Sequence, residues 1–314
     1  MKVILLDDFH STINYTLKKW NFEVIDGRGF DTGDLKNHLD INGIFIRSSI
    51  PLNASLLSQF KFLKFIARPG AGLENIDLNY CQKVGIKVFR SPEGNRDALA
   101  EHTMGMILSL INNINSANTE VKNGVWFREE NRGIELKGKV FALIGYGFMG
   151  EALAKRLSGF EVEVIAYDKY KSNFTDQYAK EVNMNYIFKN ADFVSLHTPL
   201  SLETKNLVNS TFINSFKKSF FLINTARGQS VVLEDLLKGL ENKKIKGACL
   251  DVLALESPSF ERFPYIDDPS FKSLSQYKNV IFTPHIAGWT HESKEKMACF
   301  ILHKIKKEFY QTNS

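Results

Sequence analysis

Short apolar runs rich in β-branched and aromatic residues alternate with helically spaced segments along almost the whole chain. In the first third the runs are KVILLDD (2–8), FEVID (22–26), GIFIRSS (43–49), LKFIAR (63–68) and IKVFR (86–90). Stretches such as STINYTLKKW (11–20) and LNYCQKVG (78–85), with helical spacing, lie between them. Runs buried on both faces and separated by helical connectors predict a parallel sheet covered by helices. At residue 97 the rhythm breaks. One long helix is predicted over 97–118, where Met104, Met106, Ile107, Leu108, Leu110, Ile111 and Ile114 cover most of the circumference. That pattern suits a helix buried between domains or subunits. A polar arm (123–138) then leads into a second alternating series, with strands expected at 139–144, 162–168, 191–197, 219–225, 246–252 and 279–285. An amphipathic helix near 291–310 follows. The expectation is two α/β units joined by a long helix.

Composition narrows the class. With 44% hydrophobic and 24% charged residues, and only 8 prolines, the chain is neither disordered nor collagen-like. Cys81, Cys249 and Cys299 are too far apart for a CxxC metal site and too few for a disulfide framework, so no metal is expected. Asp7 and Asp8 interrupt the first apolar run, so no secretion signal is read, and no run spans a bilayer. The net charge of +5 (40 basic against 35 acidic residues) comes from scattered side chains, which argues against a nucleic-acid partner and leaves anionic small molecules. A soluble, cytoplasmic protein is expected.

Gly145-Tyr146-Gly147-Phe148-Met149-Gly150 reads GxGxxG. A strand candidate runs into it, a helical segment leaves it, and a second strand ends at Asp168, 18 residues beyond Gly150. The first glycine permits the tight turn, the second lets backbone approach a pyrophosphate, and the third allows close helix–strand packing. The helix start presents free N–H groups to phosphate. Asp168 can accept hydrogen bonds from the ribose hydroxyls and repels a 2′-phosphate, which favours NAD over NADP. Lys169 and Lys171, next in the chain, pull the other way. Further candidates follow second-series strands at NTARGQ (224–229), LDVLALES (250–257) and TPHIAGWT (283–290).

With IARPGAGLENID (66–77), IGYGFMG (144–150), HTPL (197–200), INTARG (223–228) and TPHIAG (283–288) in this order, the sequence resembles the D-isomer-specific 2-hydroxyacid dehydrogenases. Within them it is most similar to the phosphoglycerate dehydrogenase-like branch. The resemblance covers essentially the whole chain. It implies an α/β fold in which a Rossmann NAD-binding domain (97–285) is inserted into a smaller flavodoxin-like substrate domain (1–96 plus 286–314). It also implies a catalytic set of Arg227, Glu256 and His285. His285 matches the acid/base that exchanges the hydroxyl proton, a task suited to imidazole. Glu256 matches the carboxylate that orients the ring and favours the imidazolium. Arg227 matches the clamp on the substrate carboxylate, where a planar fork serves better than an ammonium.

On the cofactor side the resemblance adds His197, Thr198 and Pro199 in the HTPL turn, Thr225 and Ala226, Asp251 toward the nicotinamide, and Gly288. On the substrate side it adds Gly70, Ala71 and Gly72 as a carboxylate loop, and Arg47 toward a distal phosphate. The chain departs from the family pattern at Glu256-Ser257-Pro258, followed by a long aromatic loop, and at Trp289, where a small residue is common. His10, His38, His102, His291 and His303 lie outside the motifs and are read as structural or surface residues. The expected activity is NAD-dependent oxidation of a D-2-hydroxy acid, 3-phosphoglycerate before the glyoxylate, hydroxypyruvate or lactate type. A non-enzymatic NAD(H) sensor is the other class considered. A homodimer through 97–138 is expected, with no regulatory domain after the last helix.

Overall fold

The structure is a computed structural model that describes residues 1–254, 256 and 266–309. The chain divides into two compact units, Met1–Arg96 with Trp289–Ser314, and Asp97–Gly288.

The first unit is built on five parallel strands: β1 (Lys2–Leu5), β2 (Glu23–Asp26), β3 (Gly43–Phe45), β4 (Phe65–Arg68) and β5 (Lys87–Arg90). Their order is β2-β1-β3-β4-β5, the doubly wound flavodoxin-like arrangement. All three residues of the central β3 are buried, whereas the edge strands β2 and β5 are exposed at both ends. This is why the central run reads as continuously apolar. One face is covered by Leu35, Ile41, Leu56, Leu57 and Phe60 among others. The other face receives the C-terminal helix His291–Phe309, whose Ala298, Ile301, Leu302 and Ile305 pack with Ile13, Leu17, Phe45 and Phe65. Lys304 pins that helix through Glu93 (2.8 Å) and the carbonyl of Arg90 (2.7 Å).

The second unit has seven parallel strands among the described residues. These are β6 (Val140–Ile144), β7 (Glu163–Tyr167), β8 (Lys180–Glu181), β9 (Phe193–Leu196), β10 (Phe220–Asn224), β11 (Ile245–Leu250) and β12 (Val280–Phe282). The order is β12-β11-β10-β9-β6-β7-β8. All these pairings are parallel, but the order in which strands are added reverses between β6 and β9, and ligands of open α/β sheets bind outside the strand C-termini at such a switch point. Register places Phe141, Phe193 and Phe221 side by side on β6, β9 and β10, and their rings stack at 5.4 and 4.8 Å between centroids.

Three local expectations change. The helix predicted over 97–118 is two helices, Arg96–Ile111 and Ile114–Lys122, broken at Asn113, whose φ of 55° is left-handed. Asparagine tolerates that conformation and so ends one helix and starts another. The two-residue strand β8 was too short to register as an alternating run. The stretch expected as one long loop after Glu256 contains a helix, Pro269–Leu274, capped by Asp268 accepting from the Phe271 N–H at 3.0 Å. Residues 257–265 of that stretch lie outside the described residues.

Candidate active site

In the second unit, β6 runs into the glycine turn and the helix Phe148–Leu157 leaves it. Gly145 has φ 96°, and a methyl there would sit 2.6 Å from the His197 carbonyl oxygen, so only glycine fits. A methyl on Gly150 would sit 2.4 Å from the Gly145 carbonyl oxygen, so the helix start lies hard against the turn. Gly147, the N-cap, has open space where its side chain would be, and no side chain caps the first turn. This is the cradle that a pyrophosphate needs.

Tyr146 is buried, stacks on Phe174 at 5.1 Å and donates its hydroxyl to Asp176 at 2.9 Å. Phe148 is exposed and Met149 half-buried. Asp168, just past β7, accepts the N–H groups of Tyr146 and Tyr170 at 2.9 Å and of Lys171 at 3.1 Å. Partial burial pushes its carboxyl up, but these donors and the Lys171 charge outweigh that and hold it below its ordinary value. Two buried hydroxyl oxygens at the strand ends, Thr198 Oγ1 and Thr225 Oγ1, have no hydrogen-bond partner among the described residues. An orphaned buried hydroxyl is costly unless a ligand satisfies it. Turn, carboxylate and unpaired hydroxyls together fit a dinucleotide. Beside them His197 bonds Ser195 Oγ at 2.9 Å, and desolvation pushes its imidazole down to about 4, so the ring is neutral in the working range.

Three loops of the same unit come together at the ends of β10, β11 and β12. Asn224, fully buried, holds the first by donating to the Arg227 carbonyl (2.9 Å) and accepting from the Ala226 N–H (3.1 Å). Arg227 Nη1 donates to the Ala226 carbonyl at 2.6 Å. A methyl on Gly228 would fall 1.9 Å from the Leu253 carbonyl carbon, so this loop is pressed against the one that carries Glu256. Glu256 Oε2 lies 2.9 Å from His285 Nδ1. His285 itself sits at φ 56°, a left-handed conformation uncommon outside glycine and asparagine, which its surroundings hold in place.

Asp251 supplies that constraint. Its buried carboxylate accepts from Thr283 Oγ1 (2.6 Å) and the Ile286 N–H (2.8 Å) on one oxygen, and from the Ala287 N–H (2.9 Å) on the other. Its carbonyl accepts the His285 N–H at 2.7 Å. Asp251, expected on the cofactor side, directs these bonds to the loop that presents His285. His102, read as structural, joins the same network through Thr283 Oγ1 at 3.1 Å. Nothing in the spacing of His102 signalled this, since the contact spans 181 positions. Gly288, the last residue of the unit, is half-buried.

In the first unit, the N–H of Gly70 donates to Ser91 Oγ at 3.2 Å, and of the other two loop residues Ala71 is half-buried and Gly72 buried. Arg68 folds over this loop: a methyl on Gly70 would lie 2.3 Å from its Nη1. Arg68 Nε donates to the Arg47 carbonyl at 3.3 Å, which links the two arginines. The Arg47 guanidinium stacks on the Trp289 ring at 3.9 Å. Arg47, Trp289, Pro69, His10, Asp8 and Lys294 line a cavity of about 30 Å³, and Lys294 is paired with Asp8. The sequence pointed to Arg47 and the glycines; the Arg68 contact and the indole stack came only with the fold.

Among the described residues no cluster of side chains could hold a metal ion, and no helix is long and apolar enough to cross a membrane.

Residues 104–287 match the family model of the D-isomer specific 2-hydroxyacid dehydrogenase NAD binding domain. Hydroxypyruvate reductase of Thermotoga maritima is 35% identical over 269 residues, covering 86% of this chain and 85% of that protein. D-3-phosphoglycerate dehydrogenase of Methanocaldococcus jannaschii is 31% identical over 311 residues, 98% of this chain, but this chain spans only 57% of its length. Among solved structures, D-lactate dehydrogenase from Aquifex aeolicus complexed with NAD and lactic acid superposes with a TM-score of 0.83 at 27% identity, covering 98% of this chain and 95% of that one. The family model covers more than half of the chain, and it matches the glycine cradle and the strand-end loops already described. The chain therefore belongs to the D-isomer-specific 2-hydroxyacid dehydrogenases, in their phosphoglycerate dehydrogenase-like branch, a family of NAD-dependent oxidoreductases acting on CH–OH donors.

Proposed function

We propose that this protein interconverts a phosphorylated D-2-hydroxy acid and its keto acid, with 3-phosphoglycerate and 3-phosphohydroxypyruvate as the pair. The observation that carries the reading is that the Arg68 guanidinium lies over the glycine loop of the first unit and reaches the backbone of Arg47, a second arginine. Two guanidinium groups suit a tail that bears a dianion. Bound NAD supplies the hydride acceptor for C2 of the acid. His285 holds and releases the hydroxyl proton. With Nδ1 toward Glu256, the ring keeps its N–H on that side and leaves Nε2 to exchange the proton. Glu256 fixes the ring plane and stabilises the charge that arrives. Arg227 clamps the substrate carboxylate.

The test is the substrate panel. Phosphohydroxypyruvate is expected to exceed hydroxypyruvate, glyoxylate and pyruvate in kcat/KM by about tenfold or more, and Arg47→Gln to remove about ten- to a hundredfold for the phosphorylated acid alone. Equal losses on all four acids would discard the phosphate role. Hydroxypyruvate reduction is the second reading, favoured by the carboxylate of Asp8 on the wall of the cavity beside Trp289. An NAD(H) sensor would bind NADH and turn over none of the four.

The active form is proposed as a homodimer. Ile114, Val121, Trp126 and Phe127 are each at least half exposed within one segment of the second unit, an apolar patch that a second copy would cover. Trp126→Glu is expected to convert a dimer to a monomer in sedimentation velocity. A dimer that persists would move the interface elsewhere.

A further inference from the structure

At the end of β7 the sequence sends two opposite signals, because Asp168 repels a 2′-phosphate while Lys169 and Lys171 attract one. The structure gives each lysine a carboxylate from another part of the second unit. Lys169 Nζ lies 2.6 Å from Glu203 Oε1, on the segment that follows β9. The other oxygen of Glu203 accepts the Tyr170 hydroxyl at 2.8 Å, so neighbouring side chains grip the glutamate from two directions. Lys171 Nζ donates to the Tyr146 carbonyl at 2.7 Å and to Glu151 Oε1, on the helix Phe148–Leu157, at 3.1 Å.

We infer that Glu203 and Glu151 are specificity residues that hold the cofactor choice at NAD(H) by engaging Lys169 and Lys171, the two cations a 2′-phosphate would need. Three carboxylates (Asp168, Glu203, Glu151) face two ammonium groups here, so the cluster carries one net negative charge. A dianionic 2′-phosphate meets repulsion from Asp168 and finds both lysines occupied. A ribose hydroxyl meets neither obstacle. Sites that take NADP place a basic side chain near the 2′-phosphate. The Lys169–Glu203 hydrogen bond also holds the ammonium above and the carboxyl below their ordinary values. Both glutamates act through the lysines, so they are positioning residues. The inference does not depend on which acid the protein reduces.

The experiment is a titration of the full-length protein with NADPH and with NADH, followed by nicotinamide fluorescence, in the wild type, Glu203→Gln, Glu151→Gln and the double variant. Wild type is expected to bind NADH more tightly. Each substitution should lower the ratio of the NADPH to the NADH dissociation constant by about two- to fivefold, chiefly by tightening NADPH, as suits exposed ion pairs. The gain should shrink in about 1 M salt, where the Debye length is roughly 3 Å. Adding Lys169→Gln to Glu203→Gln should return the ratio to the wild-type value. An unchanged ratio in the double variant would overturn the inference, as would parallel shifts for both cofactors or a wild type that prefers NADPH. Glu203 and Glu151 are both substantially exposed, so the substitutions leave the core intact.

Discussion

Replacing His285 with alanine is expected to lower kcat by about a thousandfold, the scale of a removed general acid/base, while the NADH dissociation constant stays within about twofold. The geometry separates the two effects. The imidazole is held by Glu256 at 2.9 Å and stands on a loop whose backbone is fixed by Asp251, whereas the glycine turn, Asp168, Thr198 and Thr225 belong to other loops. Removing the ring therefore deletes the proton carrier and leaves the cofactor cradle in place. Single-turnover rates and NADH fluorescence titration check both halves. Turnover within tenfold of wild type would take His285 out of the chemistry. A large loss of NADH affinity would mean that the loop, rather than the imidazole, had failed.

Arg227→Ala is expected to reduce kcat/KM by about a hundred- to a thousandfold. A guanidinium on the substrate carboxylate both orients the acid and stabilises charge that develops at C2. Arg227→Lys should recover little of this, because an ammonium cannot reproduce the planar fork. The side chain starts from a defined position. Its loop is braced by Asn224, and its guanidinium already bonds the Ala226 carbonyl. KM should rise together with the fall in kcat, as expected when ground-state and transition-state contacts are lost at once. A change confined to KM would reduce Arg227 to a binding residue.

Much of the fold was legible because burial on both faces leaves a mark on sequence. The runs that became β3, β9 and β10 are almost wholly apolar because every residue of a strand covered on both sides is buried, and the two polar exceptions, Ser195 and Asn224, are hydrogen-bonded. The glycine turn was legible for a related reason. Gly145 and Gly150 stand where any side chain would strike backbone, so glycine spacing reports a steric fact. Where elements were misjudged, the deciding interactions were short. Asn113 ended a helix that apolar periodicity alone carried further, and Asp268 capped a turn of helix inside what composition read as loop.

The proposed catalytic set was read from motifs, yet the network that holds His285 was not in the motifs. Asp251 and Thr283 are 32 positions apart, and His102 and Thr283 are 181 apart. Only folding brings the buried carboxylate under the left-handed backbone of His285.

By itself the sequence determined the two strand series, their parallel character and the glycine cradle, and it supplied the candidates for the chemistry. These follow from periodicity and from sterics that act on neighbours along the chain. The tertiary structure alone decided the state of the charges: Lys169 on Glu203, Lys171 on Glu151, Arg47 beneath Trp289, and Asp251 turned to its loop. A charge's effect depends on which groups lie within a few ångströms of it, and those groups come from distant segments that only the packed sheets bring together.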